Sequence, residues 1–463
     1  MLIGCALLLT FVLFTGCEKR KPENQDDEVR PDVDGLEPVD DWSPDADVPD
    51  IDVLDDADAD MPDEVDEDLP DGADEIPDED VSDVDEDTDS DADSDADSDD
   101  GCEPSKGFNP CAAKFSGPIG DLDARTGGVV AFGGSPASVY VCDTSGMGEA
   151  ACQVKATIPA GLFASQRLFT PFGYSLATAV PQGEKKPISI FKIDEGASNP
   201  ADAILGRKDI AQITISSGSD PLMFDLAGPG GIAAFSSAQV PVERFFVGAG
   251  QATNDGSTVG MLLALADFDG DWASLRMPGL AKGLETSGVA STTLNLGEGD
   301  KEYVVAMNAG RIDASDPFEA GISIFDPDAS SVLRVKHIPL GEAELSRVAE
   351  ISFDSTGRKA WVSFEKPAAA IKLVNLESGS VEKEVLLGSA VAGEVADMVL
   401  AGSRLYLADS GGGVVFVDLS ADAVMGSVAL PDAPTACAMS EGLLFCAVGE
   451  RLAAIDPEEV ELD

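Results

Sequence analysis

From Lys114 to the end of the chain, short apolar stretches alternate with clusters of Gly, Pro, Asp, Asn and Ser. That punctuation predicts strands joined by turns, and no sustained 3.6-residue period predicts a long helix. One kind of segment recurs: a strand that closes on an acidic or amide residue. It occupies residues 139–143, 188–194, 261–267, 322–326, 371–375, 414–418 and 452–456, which makes seven copies. Most copies start about 40 to 60 residues apart, with one gap near 70, a period of the size that repeat architectures use.

The fifth copy shows its surroundings best. Strands at 349–353 and 358–363 flank the turn Asp354-Ser355-Thr356-Gly357, and strands at 370–375 and 381–387 complete a four-stranded sheet. A lone antiparallel sheet of this kind cannot bury both faces. Packing such sheets face to face around an axis buries them and leaves only short edges. The unit resembles a blade of the YVTN/WD40-like β-propellers. The likeness is strong over 345–430 and looser across the remainder of 115–458, where neither a Tyr-Val-Thr-Asn tetrapeptide nor a Trp-Asp dipeptide occurs. It implies a toroid of blades around a polar channel, with variable loops forming binding faces. The expected fold is all-β: a seven-bladed β-propeller of four-stranded antiparallel blades. The competing fold is a pair of β-sandwiches, for which the repeat shows no two-part division.

Charge divides the 463-residue chain. The formal net charge is −58, yet residues 18–100 hold 40 acidic against 4 basic residues, or −36, which leaves −22 for the remainder. The segment is built from Asp-Ala, Asp-Ser and Pro-Asp units, with too little apolar surface to offset ordering entropy. A disordered acidic linker is expected, extended by self-repulsion. Ahead of it, residues 1–16 are nearly all apolar and read as an export signal, too short for a stable bilayer span. The stretch Leu13-Phe14-Thr15-Gly16-Cys17 resembles a bacterial lipobox, with Phe14 where Leu is usual and no Lys or Arg before the apolar run. An ordinary signal peptide is the alternative. The resemblance implies that Cys17 is acylated and becomes the mature N-terminus, and Glu18 in place of Asp implies outer-membrane sorting. The expected organisation is therefore a lipoprotein signal at 1–16, a tether at 17–101 and a propeller at 102–463. The expected location is the cell envelope, facing the periplasm or the cell surface.

Beyond Cys5 and Cys17, six cysteines fall into three local pairs: Cys102 with Cys111, Cys142 with Cys152, and Cys437 with Cys446. An even count in an exported chain argues for disulfides. Local pairing is one of fifteen connectivities, and the turn Ser440-Glu441-Gly442 would set Cys437 opposite Cys446. Zinc would call for Cys-x-x-Cys or a nearby His, and neither occurs.

Catalytic signatures are sparse. The acidic balance and the lack of clustered cations exclude nucleic-acid binding through phosphate neutralisation. No Gly-x-Ser-x-Gly elbow, Walker loop or zinc-protease helix motif is present. Gly228-Pro229-Gly230-Gly231-Ile232-Ala233 matches a dinucleotide fingerprint by spacing, but the proline and the all-β setting point to a strand instead. His337 sits on a strand-like stretch and is expected to have a surface or strand-pairing role. Trp272 and Trp361 are expected to pack between blades. The best metal candidate is Asp267, Asp269 and Asp271, three carboxylates at alternate positions that could converge on Ca²⁺, set against the plainer reading of an acidic turn. No catalytic or other cofactor-binding residue is expected. The leading expectation is a lipid-anchored, exported propeller that binds or scaffolds an unknown protein or glycan at the cell envelope. The alternative is a calcium-dependent propeller enzyme of the hydrolase or lactonase type.

Overall fold

The computed structural model describes residues 102–144, 146–184, 186–217, 220–235, 243–254, 257–268, 271–274, 279–280, 285–310, 320–328, 333–340, 346–364 and 370–463. Within them the strands form seven antiparallel blades. Blade 1 runs Ile119–Arg125, Gly128–Gly133, Ser138–Asp143 and Ala151–Thr157. Blade 2 runs Leu162–Phe169, Ser175–Pro181, Ile188–Ile193 and Ile204–Ile210. Blades 4, 5 and 6 repeat the arrangement, beginning at Glu285–Asn295, Ser346–Phe353 and Val395–Ala401. Two short pairings, Ala309 with Arg347 and Gly310 with Ser346, join blades 4 and 5 along one edge.

Blade 3 departs from the four-stranded pattern. Its first strand is long, Asp220–Phe235, and pairs with an added strand Gln212–Ser217. A short added strand, Gly279–Leu280, pairs with Ser257–Phe268. This enlargement falls in the longest gap of the sequence repeat and beyond it.

Blade 7 closes the ring. Its first three strands are Pro434–Ser440, Leu443–Val448 and Arg451–Ile455, and its fourth is Phe108–Lys114 from the opposite end of the domain. The first strand of each blade packs on the first strand of the next, and blade 7 packs back onto blade 1. These seven strands line the axis. Gly120, Ala396 and Thr435 on them are exposed, so water reaches the axial channel.

The seven copies read from the sequence are the third strands of the seven blades. Their near-continuous apolar character follows from burial on both sides. Met261, Leu263 and Leu265 face blade 2, whereas Leu262 and Ala264, one residue out of phase, face blade 4. The described residues form seven apolar clusters, one at each blade junction, in place of a single core. Period-two alternation therefore serves two interfaces at once. Trp361 is 5% exposed and packs against Val395, Leu405 and Val415 across the junction of blades 5 and 6.

In five copies the acidic or amide residue at the strand end has a local cause. Asp194, Asp326, Asp418 and Asp456 each accept the backbone N–H two residues on, at 2.8 to 2.9 Å. Asn375 accepts the Ser378 N–H at 2.9 Å. Such turns let a short carboxylate or amide stand in for a backbone acceptor at the strand end.

Candidate functional site

The axial strands carry one device in all seven blades. Pairing with the second strand slips between Ile119 and Asp121, Ala164 and Gln166, Pro229 and Ile232, and Thr286 and Gly288. It slips again between Val348 and Ile351, Val395 and Asp397, and Pro434 and Ala436. A bulge re-aims the residue beside it and frees backbone groups from the ladder. Here polar side chains at the bulges reach the next blade. Asp121 Oδ2 accepts the Arg167 N–H at 2.5 Å, joining blades 1 and 2. Gln166 Oε1 accepts the Ile232 N–H at 2.9 Å, joining blades 2 and 3. The Ser287 hydroxyl donates to the Val348 carbonyl at 2.5 Å, and Ser352 to the Met398 carbonyl at 2.9 Å. Asp397 Oδ2 accepts the Cys437 N–H at 2.6 Å. The Thr435 hydroxyl returns the circuit to blade 1 at the Ile119 carbonyl, 2.7 Å away.

Between blades 3 and 4 close approach takes over. A Cβ on Gly230 would lie 1.9 Å from the Thr286 carbonyl oxygen. One on Gly231, at φ +102°, would lie 2.4 Å from the Val289 nitrogen. The Gly-Pro-Gly-Gly run thus lies on an axial strand and permits backbone contact between blades.

Asp121, Glu350 and Asp397 are half-buried along this circuit, open to the channel and enclosed by protein elsewhere. Desolvation raises the Asp121 carboxyl well above the usual range, with the Asp123 charge adding to it. Desolvation and then the Asp397 charge push Glu350 up to about 8. Desolvation lifts Asp397 to about 6, against hydrogen bonds from the Cys437 and Met398 N–H groups. Carboxylates sharing a low-dielectric enclosure resist simultaneous ionisation.

At the junction of blades 1 and 2, Arg167 is buried between two carboxylates. It contacts Asp123, and its Nε donates to Glu195 Oε1 at 2.6 Å. Ser175 also hydrogen-bonds Glu195. Beside this network lies a cleft of about 380 Å³ lined by Asp123, Ala124, Arg125, Val130, Arg167, Leu168, Phe169 and Glu195.

The structure brings the three cysteine pairs to bonding distance, with S–S separations of 2.00, 2.02 and 2.08 Å. Cys142 and Cys437 stand directly opposite Cys152 and Cys446 in the strand register. All three pairs belong to blades 7 and 1, the blades that meet at the ring closure. Nearby, Asn109 Nδ2 donates to the Met147 carbonyl at 2.8 Å, and the Ala150 N–H to the Ala112 carbonyl at 2.6 Å. The closing strand is thereby tied to blade 1 as well as to its own sheet.

His337 lies on the outer strand Leu333–Pro339, with Nδ1 3.0 Å from the Ser323 hydroxyl on the neighbouring strand. In blade 3, Asp267 pairs with Trp272 and Phe268 with Asp271 in the backbone register. Asp269 lies outside the described residues, as does Cys17 with the whole of 1–101. Among the described residues, no group of three or more His, Cys, Asp or Glu is disposed to hold a metal ion.

No protein-family model matches the chain, and no curated protein matches it. Among solved structures, the chain is similar to the WD40 β-propeller domain of Doa1, at 10% identity and a TM-score of 0.47. That match covers 75% of this chain and 96% of the other. It is also similar to Sqt1 of Saccharomyces cerevisiae, at 12% identity and a TM-score of 0.45, covering 72% of this chain and 81% of the other.

Proposed function

We propose that the protein is a lipid-anchored, exported propeller that acts as a binding or scaffold module at the cell envelope. Acyl chains on Cys17 hold it to the outer membrane, the acidic tether 17–101 sets its reach, and the turn faces of the blades present a surface to a protein or glycan. The observation that carries this reading is how the axial polar groups are used. Asp121, Gln166 and Asp397 are each engaged with a backbone N–H of the next blade. These three channel groups therefore hold the scaffold together, which favours the turns as the recognition surface.

Two measurements test it. Detergent partition of the expressed chain should place it in the detergent phase, and C17S should move it to the aqueous phase. Crosslinking of the full chain in intact cells should recover a defined partner. An aqueous wild-type protein overturns the anchor, and turnover of a small substrate by the purified chain overturns the binding role.

A further inference from the structure

We propose that the cleft between blades 1 and 2 is a docking groove for an apolar side chain carried on a cationic segment of a partner protein. The proposal rests on the binding-module reading and locates its surface.

In an up-and-down blade, the turn between strands one and two and the turn between strands three and four leave from the same end. The cleft opens at that end. Phe169 and Arg125 terminate first strands, and Glu195 follows a third strand. Phe169 is 56% exposed although Val130, which lines the same cleft, is buried. An exposed aromatic over an apolar floor, rimmed by polar groups, is the usual form of an anchor pocket.

Charge selects the occupant. The turns on this end expose Asp143, Asp202, Glu298, Asp422, Glu441 and Glu458. Several cations on the same end are held by carboxylates: Lys301 by Asp326, Arg358 by Asp300, and Arg404 by Glu458. Inside the cleft, Arg167 is enclosed by Asp123 and Glu195, while the Asp123 side chain stays 43% exposed. A cationic segment is steered toward such a face and an anionic one is repelled. The same charge excludes the chain's own tether at −36. Arg125 opposes the trend: it is exposed on the lip, and its Nε contacts only the adjacent Thr126 carbonyl at 3.5 Å among the hydrogen bonds described.

The test is a phage-displayed random dodecapeptide library panned on the immobilised full chain, with affinities of enriched peptides measured on variants. Enriched peptides should pair an aromatic or aliphatic residue with flanking Lys or Arg. F169S should weaken them about tenfold or more, as loss of a central anchor does. R125E should tighten them severalfold, an effect that loss of packing would not give. L386S, which alters an apolar residue 73% exposed on the outer strand of blade 5, should change nothing. Acidic consensus peptides, or no enrichment, overturn the proposal. Binding that survives F169S overturns the groove and leaves the binding-module reading standing.

Discussion

The Cys437 backbone N–H donates to Asp397 Oδ2 across 2.6 Å, carrying a hydrogen bond from blade 7 to blade 6. Asp397 Oδ1 accepts the Met398 N–H of its own strand, also at 2.6 Å. One carboxylate thus satisfies two bulge amides that the sheet ladder leaves over. Charge-assisted acceptors of this kind are stronger than neutral ones, and their loss strands the donors.

Replacing Asp397 with Ala should therefore destabilise the domain by roughly 2 to 3 kcal/mol, and Asn, which keeps an acceptor oxygen, by less. Urea denaturation at pH 7 checks the order. Equal losses for the two variants would show that the hydrogen bonds contribute little.

The domain should lose stability as the solution turns alkaline. Glu350 is raised to about 8 and Asp397 to about 6, both above their unfolded values, so the folded state holds protons that the unfolded state releases. Their contribution is full below the unfolded pKa and disappears as pH rises through the folded one. The Asp397 charge acts on Glu350 and the Asp123 charge on Asp397, and Asp121 and Asp123, which lie beside Arg167, are raised in the same direction. Asp209, Glu382 and Asp418 are lowered and act in the opposite sense only at acid pH. The melting temperature should fall between pH 5 and pH 9, and E350Q should flatten that fall. A melting temperature that rises over the same range would contradict it.

Thiol titration of the protein unfolded without reductant should find none of Cys102, Cys111, Cys142, Cys152, Cys437 and Cys446 free. Replacing Cys437 and Cys446 together with Ser should cost about 2 to 3 kcal/mol, the range for cross-links closing loops of about ten residues. Because blades 7 and 1 form the closure, hydrogen exchange should increase first in Phe108–Lys114 and its partner Arg451–Ile455.

Any side chain at Gly230 collides with the Thr286 carbonyl of blade 4. Gly230→Ala should cost about 1 to 3 kcal/mol by overpacking, whereas Gly161→Ala should cost less, since open space surrounds its Cβ position and only a positive φ opposes it. Thermal melts of both variants decide it.

The blade count and the third strand of every blade are legible in the amino-acid order, and Cys142 with Cys152 and Cys437 with Cys446 each flank a single turn. Each is local: alternation has a period of two, turns demand Asp, Asn or Gly, and cross-strand cysteines flank one turn. The four-stranded fifth blade was legible to within a few residues, with strands at Ser346–Phe353, Lys359–Phe364, Ala370–Asn375 and Ser380–Leu386. Nothing local marks Asp121, Gln166 or Asp397. Each sits in an ordinary strand, and its partner is a backbone amide 40 to 66 residues away, which carries no residue identity to read. The added strands of blade 3 are defined by their partners, Asp220–Phe235 and Ser257–Phe268, and no repeated pattern marks them. The cleft of Phe169 and Arg125 exists only once blades 1 and 2 are set side by side. These features belong to the assembled ring, because each depends on which strand becomes the neighbour, and ring closure, not sequence proximity, fixes that.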